Sequence, residues 1–273
     1  MEALVITAAL NGAEVTREQN PHLPITPEEL AEAATRCRAA GASVVHVHAR
    51  LPDGTPTQSA AIYAEIIQRI RERTDVVIQL STGGAVGMTP EERLAPVFLK
   101  PEMASLTTGT VNFGQDVFWN PPDLIEHFAR RMVEQGVVPE IEAFDMGHIA
   151  NALRLVRRGI LTVPLHFNFV MGVAGGIEAS VKNLLYMAES IPPGCTWSVA
   201  GIGRAQLSMA AAAILLGGHV RVGLEDNIYY TRGLLASNEM LVERVARLAK
   251  ILGRNIATPD DARRIFGILE RSS

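Results

Sequence analysis

The sequence has little cysteine, no strong excess of one charge and no long apolar run. Cys37 and Cys195 are the only cysteines among 273 residues. Neither has the spacing of a metal ligand, so we expect a reduced, cytoplasmic protein. No run of about 18 apolar residues occurs, so no membrane span is expected. Residues 1–5 lack a basic stretch and lead straight into a strand, so no secretion signal is expected.

The composition is that of an ordinary globular protein. Hydrophobic residues make up 48% and charged residues 20% of the chain, and the formal net charge is -4. The positive residues are dispersed, so no nucleic-acid partner is expected. The length is suited to one large domain or two small ones.

Short apolar strands alternate with helical patterns along the whole chain. We predict helices at 27–40, 60–73, 90–95, 122–135, 148–158, 177–189, 205–216 and 238–252. We predict strands at 4–10, 43–49, 76–82, 103–109, 140–145, 162–170, 196–202 and 220–224. About eight strand–helix units indicate an α/β protein with a (β/α)8 TIM barrel. A doubly wound open sheet is the alternative, but no Gly-x-Gly-x-x-Gly follows the first strand. We expect one domain, 1–273, with a short helical extension after Gly253.

Two histidines lie two residues apart in the predicted second strand. His46 and His48 belong to an apolar, β-branched run, 44–50. Alternate residues of a strand point to the same side, so both imidazoles converge on one spot. Imidazole suits zinc and similar metals, and the pair therefore predicts a metal site.

Polar residues cluster where the predicted strands end, which is the catalytic end of a barrel of this kind. Arg221 and Glu225 share one parity, so both face the lumen if strand eight continues that far. Strand eight closes on strand one, which adjoins strand two, so Glu225 can approach His46 and His48. Two histidines, one carboxylate and an open position are typical of catalytic zinc. The alternative makes Glu225 an acid of a surface loop.

Other polar residues have two interpretations each. Ser105 and Thr107 share a face and either bind a carboxylate or satisfy nearby backbone groups. The pair Gly83-Gly84 allows either close approach of a ligand or a tight turn. The segment 201–204 precedes a helix and could hold a phosphate. His148, His166 and His219 could each be metal ligands, but scattered single histidines more often have structural roles.

With these residues in place, the chain resembles the β-keto acid cleavage enzyme family nearly from end to end. The segments that carry the resemblance are the His46 and His48 strand and 6–9, 12–14, 24–29, 81–87, 100–104, 112–114, 200–204 and 223–227. The family's fold is a zinc-bearing (β/α)8 barrel, which agrees with the count of strand–helix units.

The resemblance implies roles for particular residues. One zinc ion per subunit would be held by His46, His48 and Glu225, with the site at the C-terminal ends of the strands. Arg221 and Asp226 would form a catalytic dyad. The implied substrate-binding positions are Glu14, Ser81, Gly84, Ser105, Thr107 and Glu142.

The implied reaction joins a β-keto acid and acetyl-CoA to give acetoacetate and a new acyl-CoA by a Claisen and retro-Claisen route. The substrate would be 3-keto-5-aminohexanoate, an intermediate of lysine fermentation, or a related β-keto acid. Asp226 would be the base, and Arg221 would lower its pKa and keep it ionised. The resemblance also implies a homotetramer.

Alternatives remain at this stage. Glu142 would either bind a cationic end of the substrate, as the resemblance implies, or pair with a neighbouring arginine. A metal-dependent Claisen-type lyase or aldolase would share the barrel and the metal but would release acetyl-CoA. A zinc amidohydrolase is disfavoured because its His-x-His typically lies on the first strand. A metal-dependent small-molecule sensor is the non-enzymatic alternative.

Overall fold

Eight parallel strands close into a barrel in the computed structural model, which describes residues 2–268. In chain order the strands are β1 (Ile6–Ala9), β2 (Val44–Val47), β3 (Ala49–Arg50), β4 (Pro56–Thr57), β5 (Val77–Leu80), β6 (Met103–Thr107), β7 (Val111–Phe113), β8 (Asp116–Phe118), β9 (Val138–Ala143), β10 (His166–Met171), β11 (Thr196–Gly201), β12 (His219–Val222), β13 (Tyr229–Thr231) and β14 (Leu234–Leu235). Around the barrel the order is β1, β12, β11, β10, β9, β6, β5 and β2.

The helices lie outside this barrel and connect its strands. They are α1 (Pro27–Ala40), α2 (Ala60–Arg71), α3 (Pro90–Leu94), α4 (Pro122–Gln135), α5 (Met146–Arg157), α6 (Val181–Glu189), α7 (Gln206–Leu216), α8 (Asn238–Ile251) and α9 (Pro259–Ile265), with short 3₁₀ helices at Ala95–Leu99 and Gly203–Ala205. The predicted TIM barrel is confirmed, and the open sheet is excluded because β12 pairs with β1. In residues 2–268 no helix is long and apolar enough to cross a membrane.

Local sequence explains where several helices begin. Thr26 accepts a hydrogen bond from the Glu29 amide, and the Glu29 side chain accepts one from the Thr26 amide. This capping box satisfies two of the amides that the first turn of a helix leaves unpaired. α3 begins with the same device after Thr89, and α9 begins with it after Thr258.

Several predicted elements differ from the structure in their bounds. The predicted strand 162–170 begins only at His166, and the predicted helix 177–189 begins only at Val181. The predicted strand 43–49 is divided, because β2 ends at Val47 and β3 begins at Ala49. The predicted strand 220–224 ends at Val222, where a turn replaces it. The predicted single domain also includes Met1 and 269–273, which lie outside the described residues.

The lumen of the barrel changes from apolar to polar along its axis. At the end where the strands begin, Val5, Val44, Val77 and Met103 pack against Ala257, Ala262 and Phe266 around α9. Above them the next lumen residues are buried and polar, namely Thr7, His46, Gln79, Ser105, Glu140 and Arg221. Branched apolar residues usually fill such a barrel. The polar layer therefore marks the region that supports a site.

Phe266 closes the apolar end of the barrel. Its ring lies 4.0 Å from the ring of His166, centroid to centroid, and the residue is 8% exposed. We expect Phe266→Ala to lower the free energy of unfolding by about 2–4 kcal/mol, because it leaves a cavity beside buried polar groups. Urea unfolding measures this loss. Phe98→Ala is the matched control, since Phe98 is 52% exposed and its removal should change the value by less than about 0.5 kcal/mol. Equal losses in the two variants would contradict the role of Phe266.

Candidate active site

His46 and His48 face the same point at the catalytic end of the barrel. Their ring centroids are 5.2 Å apart. His46 Nε2 lies 3.6 Å from Glu225 Oε2, and His48 Nε2 lies 3.6 Å from Glu225 Oε1. One ligand atom from each residue falls within 4.8 Å of the others, so the three could hold a metal ion. Glu225 Oε2 is buried and has no hydrogen-bond partner within residues 2–268, which fits an oxygen that is available to a cation.

Glu225 reaches this point through a turn. The condition that strand eight continues to residue 225 is not met, because β12 ends at Val222 and Gly223 follows with φ of 152°. A Cβ on Gly223 would lie 2.0 Å from the carbonyl oxygen of Ala9, so only glycine allows β12 to pass so close to β1. The Leu224 amide then donates to the side chain of Asn238, which fixes the turn.

Asn11 and Gly12 follow β1. Asn11 positions His48, and Gly12 leaves room for Glu225. Asn11 Nδ2 donates to the carbonyl oxygen of His48, and the His48 amide donates to Asn11 Oδ1. Gly12 has φ of 58°, and a Cβ there would lie 2.6 Å from Glu225 Cγ. A side chain at position 12 would therefore push Glu225 away from the histidines. No role was predicted for Asn11, although its place directly after a predicted strand was a usable signal.

Arg221 connects three carboxylates. Its Nε lies 3.0 Å and its Nη2 lies 2.9 Å from the two carboxylate oxygens of Asp226. Nη2 also donates to Glu225 Oε1, and Nη1 lies 3.4 Å from Glu142 Oε1. Arg221 is 3% exposed. Burial alone would lower its pKa, but the three acids hold that pKa well above its ordinary value, so Arg221 is a permanent cation.

The neighbouring acids Glu225 and Asp226 differ in electrostatic environment. Burial opposes ionisation of Glu225, but Arg221 and the two histidines bring its pKa well below the ordinary value. For Asp226 burial dominates, and repulsion by Glu225 adds to it, so its pKa is raised in spite of Arg221. Arg221 favours the ionised form of Asp226, as expected, but desolvation outweighs the ion pair, so the expectation of a net lowered pKa is wrong.

Glu142 projects into the site from β9. The Thr107 hydroxyl donates to Glu142 Oε2 over 2.7 Å, and Arg221 approaches the other oxygen. Burial raises the pKa of Glu142 to about 7, which the attraction of Arg221 only partly offsets. Both environments expected for this acid are thus compatible with its position, because it contacts an arginine and also faces the cavity.

These residues surround a cavity of about 270 Å³. Nine of the eleven expected site residues line it, namely Glu14, His46, His48, Ser81, Gly84, Glu142, Arg221, Glu225 and Asp226. Ser105 and Thr107 do not line it. Its apolar wall was not expected from the sequence and consists of Val86, Phe113, Phe118, Phe144, Val170, Val173 and Ile202. Phe113 and Phe118 belong to the β7–β8 hairpin, where no strand was predicted.

The hydroxyl groups near the cavity are already partly engaged. Ser81 Oγ accepts from the Gly83 amide, which leaves its own proton available to a ligand. Ser105 Oγ accepts a hydrogen bond from the Thr82 amide, and the Thr107 hydroxyl donates a hydrogen bond to Glu142. Ser81 is therefore the hydroxyl that is best placed to donate into the cavity.

The remaining motifs have structural roles. His148 Nδ1 accepts from the Phe144 amide, and His219 Nδ1 accepts from the Val5 amide. His166 Nε2 lies 3.4 Å from Glu140 Oε2, outside the group that could bind a metal. In the segment 201–204 the Gly203 amide donates to the carbonyl oxygen of Asp226, so this amide joins two loops and is not free for a phosphate.

The chain is similar to known proteins along nearly its whole length. A family model described as beta-keto acid cleavage enzyme matches residues 3–268. The chain is 55% identical over 271 residues to a 3-keto-5-aminohexanoate cleavage enzyme from Fusobacterium nucleatum, covering 98% of this chain and 99% of that protein. It is 39% identical over 269 residues to the 3-oxoadipate:acetyl-CoA acetyltransferase from Cupriavidus necator, covering 97% of this chain and 94% of the relative.

Among solved structures, the apo structure of ObcA superposes with a TM-score of 0.79 at 24% sequence identity. The match covers 91% of this chain and 66% of ObcA, so the chain spans about two thirds of that protein. At this identity the likeness shows the barrel fold.

The raised pKa of Glu142 predicts how stability depends on pH. The carboxyl has a pKa of about 7 in the folded protein against an ordinary 4.5, so the folded state binds the proton more tightly. Stability therefore falls as pH rises from about 4.5 to about 7. Glu142→Gln removes this loss, and the wild type should lose about 3 kcal/mol relative to the variant across that range. Urea unfolding from pH 5 to pH 8, with a chelator present, measures the difference. Parallel pH profiles would contradict the assignment.

Proposed function

The chain belongs to the beta-keto acid cleavage enzyme family, and we propose that it is a zinc-dependent acyltransferase that converts a β-keto acid and acetyl-CoA into acetoacetate and a new acyl-CoA. The observation that carries the proposal is the position of Arg221. Its guanidinium contacts Glu225, which adjoins the histidine pair, and also contacts Asp226. This arrangement puts a base beside a group of metal-binding side chains inside one cavity.

The side chains present suit a bound zinc ion. His46, His48 and Glu225 offer two nitrogens and one oxygen, which is the donor set of many catalytic zinc sites. The single positive charge of Arg221 faces three carboxylates. The cavity therefore carries an excess of negative charge that a divalent cation would offset. Zinc, when bound, supplies a Lewis acid for the ketone oxygen of the substrate.

Asp226 is the proposed base. It takes a proton from C2, the carbon between the carboxylate and the ketone of a β-keto acid. Its raised pKa suits this step, because a base with a pKa nearer to the working pH accepts a proton more readily. The paired contacts from Arg221 fix the orientation of the carboxylate and stabilise its charge.

Loss of the proton from C2 gives an enolate, and the remaining steps follow from it. C2 attacks the acetyl carbonyl carbon, a C–C bond forms, and the thiolate of CoA leaves. The thiolate then attacks the former ketone carbon, the bond between that carbon and C2 breaks, and its electron pair stays on C2. Asp226 returns its proton to C2, which gives acetoacetate and the new acyl-CoA with every atom accounted for.

The cavity walls suggest how the substrate is bound. Ser81 would donate a hydrogen bond to the substrate carboxylate, and Gly84 would allow the main chain to approach that carboxylate closely. Ser105 and Thr107, which were expected to share that task, would act behind the cavity wall by holding the Thr82 amide and Glu142. Phe113 and Phe118 would exclude water from the enolate. A homotetramer and a cytoplasmic location stay predictions.

The reaction predicts a joint requirement for acetyl-CoA and for metal. The protein incubated with a panel of β-keto acids should form acetoacetate and the matching acyl-CoA only when acetyl-CoA is present. Mass spectrometry of the acyl-CoA products measures this. His46→Ala should lose zinc and turnover together, whereas His127→Ala, on the outer helix α4, should lose neither. Cleavage without acetyl-CoA would favour the lyase, and activity of His46→Ala without zinc would refute the metal mechanism.

Glu142 is the proposed partner of a cationic group on the substrate, such as the amino group of 3-keto-5-aminohexanoate. This rests on Glu142 lining the same cavity as the expected substrate-binding residues Glu14, Ser81 and Gly84. Glu142→Gln should reduce kcat/KM for amino-bearing β-keto acids by about tenfold or more relative to neutral ones, because a charge-assisted hydrogen bond is lost. Glu14→Gln is the comparison variant, since Glu14 also lines the cavity. Equal losses for both substrate classes in Glu142→Gln would refute the pairing.

A further inference from the structure

Gln79 lies next to the histidine pair but outside the cavity. It is completely buried on β5, and β5 pairs with β2 so that Gln79 is directly opposite His46. Its Oε1 lies 2.6 Å from His46 Nδ1. We propose that Gln79 is a positioning residue that fixes the tautomer and orientation of the His46 ring. The inference rests on the proposed function only in that the ring is taken to bind zinc.

The direction of this hydrogen bond decides whether His46 can bind a metal. A neutral imidazole carries one proton, on Nδ1 or on Nε2. When Nδ1 donates its proton to Gln79 Oε1, Nε2 has a free lone pair, and this is the atom that lies 3.6 Å from Glu225 Oε2. When the amide nitrogen of Gln79 faces the ring instead, His46 Nδ1 must accept a hydrogen bond from it. The ring proton then lies on Nε2, where it prevents metal binding.

The two histidines are thus positioned in different ways. The Asn11 side chain bonds both the amide and the carbonyl of His48, and so fixes the main chain at that residue. Gln79 instead contacts the ring of His46. Partners on the second nitrogen of a metal-bound histidine commonly set its tautomer and raise its basicity. Gln79 and His46 are 0% and 1% exposed, so this contact is shielded from solvent.

Three variants test the inference through zinc affinity, measured by competition with a chromophoric chelator. Gln79→Leu keeps much of the side-chain volume but removes the acceptor, and should weaken zinc binding by about 10–100-fold. Gln79→Glu offers only acceptor oxygens when ionised, and should restore most of the affinity. Asn168→Leu is the matched control, since Asn168 is another buried lumen amide that bonds Ser198 and not the ligands. It should change the affinity by less than about threefold.

A second measurement needs neither metal nor activity. In the metal-free wild type at neutral pH, ¹⁵N NMR of the His46 ring should show the proton on Nδ1, and Gln79→Leu should lose this preference. A proton on Nε2 in the wild type would overturn the inference even if Gln79→Leu fails to fold.

The outcomes separate this inference from the proposed function. Equal zinc affinity in Gln79→Leu and Asn168→Leu would overturn the role of Gln79 and leave the enzymatic proposal intact. A wild type that binds no zinc would overturn both. A wild type that binds zinc and whose affinity depends on Gln79, but that forms no acetoacetate, would support this inference and refute the reaction.

Discussion

The buried guanidinium of Arg221 is the interaction on which the rest of the site depends. Taking a carboxylate out of water costs several kcal/mol unless an opposite charge and hydrogen bonds replace the solvent. Arg221 supplies these to Glu225, Asp226 and, more weakly, Glu142. It therefore allows a metal-binding acid and a base to be neighbours in the chain and to share one cavity. Removing Arg221 would leave three acids facing one another in a low dielectric.

The fold serves this charge arrangement in two ways. The apolar layer around α9 closes the far end of the barrel, so the buried polar groups lie between a closed end and the cavity. Loops that follow the strands at the other end bring residues from distant parts of the sequence together. Gly12 and Gly223 matter most here, because each allows a contact that a side chain would prevent. The precision of the site is therefore a property of backbone turns as much as of the reactive side chains.

Much of this architecture could be predicted from local sequence patterns. The barrel follows from eight alternating units, and the proximity of His46 to His48 follows from the period of a strand. The position of Glu225 was expected for the wrong local reason, since a glycine turn and not strand parity delivers it. The direction of the pKa shift of Asp226 could not be read from the sequence, because it depends on how completely the folded protein removes water. The contact of Gln79 with His46 could not be predicted, because it requires the register of β2 and β5.

The central claim is that the enolate of the β-keto acid attacks acetyl-CoA and that the acetyl carbons leave in acetoacetate. Incubation of the zinc-loaded protein with a neutral β-keto acid and acetyl-CoA labelled with ¹³C in both acetyl carbons tests it directly. The account predicts that ¹³C NMR finds both labelled carbons at C3 and C4 of acetoacetate, and that the new acyl-CoA is unlabelled. Label that stays in acetyl-CoA while the β-keto acid is cleaved would contradict it.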